Sequence, residues 1–141
     1  MSELTYFLMI ILDQVHEYVN FIEMKSVNFY NTPSGRCPVQ DHLDTLPDKT
    51  VSKIVWVLRA VRDLDPIPSH YFKKLVNTDD IWEVRIDVGR NTFRLLGFFQ
   101  ERELIIVTNS FQKKSQKTPQ SEIRLATERK ADYQKRRKTN G

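Results

Sequence analysis

The chain has little of the chemistry that staples or metallates small proteins. Its 141 residues include one cysteine, Cys37, so no internal disulfide can form and a reducing compartment, the cytoplasm, is expected. No histidine stands at a suggestive position beside Cys37, which reads as a small packed or exposed thiol rather than a nucleophile. Three scattered histidines (His16, His42, His70) give no metal-ligand spacing, and no carboxylate cluster is apparent, so neither metal nor cofactor is expected. Four glycines and six prolines are too few for a loop-dominated or disordered chain. No window approaches the roughly 18 apolar residues of a membrane span. The apolar run Tyr6–Leu12 is short, follows Glu3, and lacks both a basic flank and a small-residue cleavage site, so it is a poor signal peptide. There is no internal repeat.

What is present is a lopsided charge distribution. The whole chain carries a formal +4. Residues 111–141 hold ten lysines and arginines against three acids, a net +7, whereas residues 1–110 hold twelve against fifteen, a net −3. A basic end on a mildly acidic body points to an anionic partner, nucleic acid first among them. A solvated basic helix explains the last ten residues equally well, but explains Lys113, Lys114 and Lys117 less well.

Hydrophobic periodicity predicts a single α+β domain over residues 24–138, with a tail at 139–141. Residues 1–23 are compatible with an amphipathic helix and read as an appendage or an unused upstream start. Ser26–Tyr30 alternates as a strand, and Asn31–Gly35 is a turn by composition. A short helix is expected around Val39–Thr45. Pro47-Asp48 opens a longer one with an apolar stripe of Val51, Ile54, Val55, Leu58, Val61 and Leu64, closed by Pro66 and Pro68. Trp56 belongs to the packing edge of that helix. Ile81–Asp87, Thr92–Gln100 and Leu104–Asn109 then read as a three-stranded meander. Thr118 as N-cap and Pro119 at the first helical position predict a last helix to about Tyr133.

Alternation assigns two faces to the meander. Trp82, Val84, Ile86, Phe93, Leu95, Gly97, Phe99, Leu104, Ile106 and Thr108 form the apolar face expected to pack on the helices. Glu83, Arg85, Arg94, Leu96, Phe98, Ile105, Val107 and Asn109 form a mixed face. A loop of either two or four residues around Gly89-Arg90 sets Arg85 directly opposite Arg94, and the second hairpin sets Arg94 opposite Asn109. Opposed like charges destabilise a sheet unless an anion or carboxylate is close. Glu83, two residues from Arg85, is the internal counter-ion. Extending the last strand adds Phe111 and Lys113, so one patch gathers two guanidiniums, an ammonium, a carboxylate and a ring. Arginine forks suit phosphate and a phenyl ring suits a base, although each residue alone also fits a surface ion-pair network or a core edge.

At these residues the sequence resembles a known family. The strings Trp82-Glu83-Val84-Arg85, Phe93–Phe99 and Asn109–Pro119 are similar to the HigB branch of the RelE/ParE toxin superfamily, over about Met24 to Arg137. The F-x-K-K-x-x-K-T-P string at Phe111–Pro119 is fairly specific to that branch. The resemblance implies a RelE-like fold, with a helical hairpin packed on a small antiparallel sheet and a C-terminal helix. It implies the toxin of a type II toxin–antitoxin pair, an endoribonuclease (mRNA interferase) that inhibits translation, often at the ribosome. The implied partner is a helix-turn-helix HigA-like antitoxin. Arg94 matches the family's middle-strand arginine, Lys113 the basic position after the last strand, and Arg85 the basic position in the first hairpin strand. Glu83 stands where the RelE branch carries a second basic residue. A tyrosine soon after the last strand and a histidine acid/base have no counterpart, which leaves acid and base open.

Metal-independent cleavage would proceed by 2′-OH attack, giving a cyclic phosphate and a 5′-OH. Arg85 and Arg94 suit stabilisation of the phosphorane charge. Glu83 is a candidate general base, and Lys113 or Lys114 a candidate acid. Phe111 is a candidate stacking residue, while Lys73, Lys74, Arg90 and Lys117 are candidates to steer the RNA backbone. Two other classes remain: a ParE-like toxin that binds gyrase, and a non-catalytic nucleic-acid-binding module.

Overall fold

The structure, a computed structural model, describes residues 25–102 and 104–140. The expected appendage at residues 1–23 lies outside the described residues. Elements follow in the order β1 (Ser26–Phe29), α1 (Pro38–Asp44), α2 (Asp48–Asp63), β2 (Phe72–Lys74), β3 (Trp82–Val88), β4 (Asn91–Glu101), β5 (Leu104–Lys113) and α3 (Gln120–Asn140). This is the α+β arrangement the sequence implies. Among the described residues no helix is long and apolar enough to cross a membrane.

Each helix has a local cause. Pro38 occupies the first turn of α1, where its missing N–H costs nothing. In α2 the buried residues are Thr50, Ile54, Val57, Leu58 and Val61. The stripe is thus rotated from the expected one: Val57 enters the core, while Leu64 lies past the helix end and is exposed. Trp56 stays at the packing edge, half in solvent, with Lys53 over its ring and Tyr71 against its side. The last helix runs to Asn140, beyond the expected end at Tyr133. It begins at Gln120, with the Pro119 carbonyl accepting its first helical bond, so Pro119 and not the expected Thr118 is the cap, and the Thr118 hydroxyl donates to Glu83 instead.

The sheet has five strands in the order β1-β5-β4-β3-β2. The meander pairs antiparallel, β1 returns parallel to β5, and the short β2 adds an edge beside β3. The β3–β4 turn is two residues, with Gly89 at φ 60°, the sign a type II′ hairpin needs at its first central position.

The second hairpin departs from simple alternation. Leu96 pairs with Asn109 but Gly97 pairs with Val107, so Thr108 is the extra residue of a β-bulge. Together with the pairing of Glu101 with Leu104 and a second irregularity between Phe99 and Glu101, it corrects two expectations. Arg94 lies opposite Phe111, not Asn109. Below the bulge the faces exchange: Ile105 and Val107 join the α1/α2 core with Val84, Ile86, Phe93 and Leu95, while Ile106 and Leu104 pack with Phe98, Tyr30 and Tyr133. Gly97 is required here, since a Cβ would meet the Ile106 carbonyl oxygen at 2.5 Å.

The mixed face is not open along its length. The last helix covers the part that carries Leu96, Phe98 and Ile106, contributing Ala126, Ile123 and Tyr133. Most of the basic residues of this helix serve the fold. Arg129 donates to the Thr108 carbonyl, Lys130 to that of Asp79, Arg136 to Asp132 and the Asn31 carbonyl, and Arg137 to Glu101. At the other end of the face, which holds the charged patch, Asp87 is exposed and Arg85 and Lys113 are partly so.

Candidate active site

The patch is a lattice of three strands. Arg85, Arg94 and Phe111 stand in one row, Asp87, Thr92 and Lys113 in the next, and Glu83, Leu96 and Asn109 in the row before. The opposition of Arg85 and Arg94 is as the hairpin register predicts. Glu83 lies between the guanidiniums: its Oε1 is 3.3 Å from Arg94 Nε and 3.6 Å from Arg85 Nε. Its Oε2 accepts from the Thr118 hydroxyl, which ties the start of α3 to the patch. A second tie is the Asn109 amide, which donates to Glu122 at 2.8 Å.

Burial makes these charges expensive. Glu83 is 4% exposed and Arg94 5%, whereas Arg85 keeps about a third of its side chain in solvent. Arg94 Nη1 donates to the Phe93 carbonyl at 2.8 Å and approaches Asp87 at 3.8 Å. The Nε atoms of both arginines are buried without an aligned hydrogen-bond acceptor, despite the nearby carboxylate. Glu83 is thus an off-axis partner for both donors, and a poorly satisfied buried donor costs on the order of 1–3 kcal/mol. Burial pulls the Arg94 pKa below its ordinary value; the charge of Arg85 pushes the same way, and Glu83 opposes both.

Lys113 closes the patch at the end of β5. Its ammonium is held below the usual lysine range first by burial, then by the charges of Arg94 and Arg85, against the pull of Glu83 and Asp87. A lysine so placed gives up a proton more readily than a free one.

The other sequence candidates fall around this centre. Phe111 is half-buried, its ring against the Ile81–Leu96–Ala126 cluster. Lys73 is exposed and pairs with Glu83 across β2, at the rim of the patch. Lys74 points to the opposite face and is bound to Asp80 at 2.6 Å, so it is not part of the patch. Arg90 is exposed on the β3–β4 turn, while Lys114 and Lys117 are exposed beyond the end of β5. Two further residues belong here: Thr118, on Glu83, and Asp87, near Arg94. Alternation alone extends the face to Asp87, two residues beyond Arg85. Nothing local announces Thr118, whose role depends on where the last helix docks. Among the described residues no three His, Cys, Asp or Glu side chains gather as metal ligands would.

Comparison with known proteins decides the family. The model of the family described as Phage derived protein Gp49-like (DUF891) matches residues 41–131, well over half of the chain and all of the patch. The chain belongs to the Gp49-like family. Among solved structures it is similar to the archaeal RelE–RelB complex from Pyrococcus horikoshii OT3, at 17% identity and a TM-score of 0.40, over 62% of this chain and 92% of that one. No curated protein matches. In this Gp49-like chain the matched span ends inside the last helix and takes in both Thr118 and the arginine pair.

Proposed function

We propose that the chain is the toxin of a type II toxin–antitoxin pair, of the HigB kind, acting as a metal-independent mRNA endoribonuclease that inhibits translation in the cytoplasm. Membership of the Gp49-like family and the similarity of Phe111–Pro119 to HigB sequences support the toxin reading. The observation that carries the ribonuclease reading is the direct opposition of a buried Arg94 and a partly exposed Arg85 around one buried carboxylate, Glu83, with Lys113 one row away.

In this reading the scissile phosphate of an mRNA, free or on the ribosome, takes the place between Arg85, Arg94 and Lys113. The guanidiniums stabilise the charge that builds up on the phosphorane oxygens. Glu83 holds them in place, Lys113 protonates the leaving 5′ oxygen, and Phe111 offers a ring edge to a base. Lys73, Arg90, Lys114 and Lys117, all exposed around the patch, guide the RNA backbone. A helix-turn-helix HigA-like antitoxin would hold the toxin inactive.

Induction of the chain in bacterial cells, followed by mapping of RNA 5′ ends and DNA breaks, tests the proposal. Growth arrest with new 5′-OH ends inside coding regions is expected. Growth arrest with DNA breaks and unchanged RNA ends would overturn it in favour of a gyrase-binding toxin.

A further inference from the structure

Arg94 lies between two carboxylates of β3 that are not equivalent. Glu83, on one side, is buried, and both its oxygens are committed: Oε2 to Thr118 and Oε1 to the two arginines. Asp87, on the other side, has a side chain 74% exposed. Its Oδ1 accepts from Thr92 at 3.1 Å and faces Arg94 Nη1 at 3.8 Å, while Oδ2 has no hydrogen-bond partner among the described residues. Thr92 therefore fixes the carboxylate and leaves one oxygen open to a ligand.

The register gives this oxygen a counterpart. Asp87, Thr92 and Lys113 form one row across β3, β4 and β5. Adjacent strands lie about 4.8 Å apart, so the backbones of β3 and β5 are roughly 9–10 Å apart. That span admits a phosphodiester between a carboxylate and an ammonium, with the Arg85–Arg94 row alongside. In-line displacement demands such an arrangement, because the attacking and leaving oxygens occupy opposite apices of the phosphorane.

We infer that Asp87 is the general base of the ribonuclease reaction and that Glu83 is a positioning residue for the arginines. The inference rests on the ribonuclease reading above. The Asp87 carboxylate takes the 2′-hydroxyl proton, the O2′–P bond forms, the P–O5′ bond breaks, and Lys113 gives its proton to O5′. The products are a 2′,3′-cyclic phosphate and a 5′-hydroxyl, with Asp87 protonated and Lys113 neutral until solvent restores both.

A substrate with sulfur in place of the bridging 5′ oxygen separates the two roles, because a thiolate leaves without being protonated. The full chain and its Asp87→Asn and Lys113→Ala variants would be assayed on ordinary and 5′-thio mRNA, with and without ribosomes. Thermal unfolding would confirm that the variants are folded. On ordinary RNA both variants are expected to lose about 10²-fold or more in kcat, in the range of general acid–base catalysis, with KM little changed for Asp87→Asn. On the 5′-thio substrate Lys113→Ala recovers and Asp87→Asn does not. Recovery of Asp87→Asn on that substrate, or its full activity on ordinary RNA, overturns the assignment of the base while the unaltered chain still cleaves. Cleavage of neither substrate by the unaltered chain overturns the ribonuclease reading, and the assignment with it.

Discussion

Arg85 and Arg94 face each other across two antiparallel strands, with Glu83 Oε1 within 3.6 Å and 3.3 Å of their respective Nε atoms. Glu83 and the more distant Asp87 balance the two guanidiniums, and Lys113 leaves the patch with one positive charge in excess. Arg85 and Lys113 keep contact with solvent, so an anion from solution can reach the excess charge although Arg94 is buried. On the proposed function that excess charge is a binding feature, kept at some cost to the fold.

Arg94→Ala is expected to abolish growth inhibition while the protein stays folded. Removing a buried guanidinium leaves Glu83 with Arg85 and Thr118, so the loss of stability should be about 1–3 kcal/mol rather than collapse. Urea unfolding checks the stability, and induction in cells checks the toxicity. A folded Arg94→Ala chain that still arrests growth would remove Arg94 from the site.

In the proposed mechanism Lys113 sets the alkaline side of the pH–rate profile. Its protonated form is the working acid, and its pKa is lowered, so activity should begin to fall below the ordinary lysine value of 10.5. Substituting Lys113→Arg keeps the charge but removes a titratable proton donor. The variant should bind RNA with near-normal affinity and cleave it about 10²-fold more slowly, which binding and single-turnover rates would separate.

Gly97→Ala probes the bulge. The added methyl would meet a backbone carbonyl that cannot swing aside, so a cost of about 1–3 kcal/mol is expected. The bulge also sets the phase that brings Phe111 and Lys113 to the arginines, so activity should fall along with the melting temperature. A variant of unchanged stability would contradict the close approach.

His42 should tune stability rather than catalysis. Its Nδ1 lies 2.7 Å from the Ser110 hydroxyl, and burial pulls its pKa below 6.5, with Glu122 opposing. A depressed folded pKa means that the unfolded chain binds the proton first. The stability contributed by neutral His42 is therefore present above the unfolded value and lost as pH falls through the folded one. Chemical unfolding at about pH 7 and about pH 5 should show a fall in stability that is smaller in His42→Gln.

Much of the candidate site's geometry was legible because β-structure has a period of two. Once Gly89 marked the first hairpin, any even loop length placed Arg85 against Arg94, and alternation put Glu83 beside them. The second hairpin was different. Thr108 carries no mark of a bulge, and only the packing of Gly97 against Ile106 requires one, so Ile105, Ile106 and Val107 took the wrong faces. The basic C-terminal run is a related case. Composition does not distinguish Arg129, Lys130, Arg136 and Arg137, which bind backbone carbonyls and carboxylates of the fold, from lysines that meet a ligand. Those partners lie about 20 to 105 residues away in sequence. Of the basic residues beyond Phe111, Lys113 is the one drawn into the arginine patch.

The most direct test of the central claim is to incubate the purified chain with mRNA, free and ribosome-bound, in the presence of a metal chelator, and to analyse the ends produced. Fragments with 2′,3′-cyclic phosphates and 5′-hydroxyls are expected, absent with Arg94→Ala. Intact RNA under both conditions, from a folded chain that still arrests growth in cells, would contradict it.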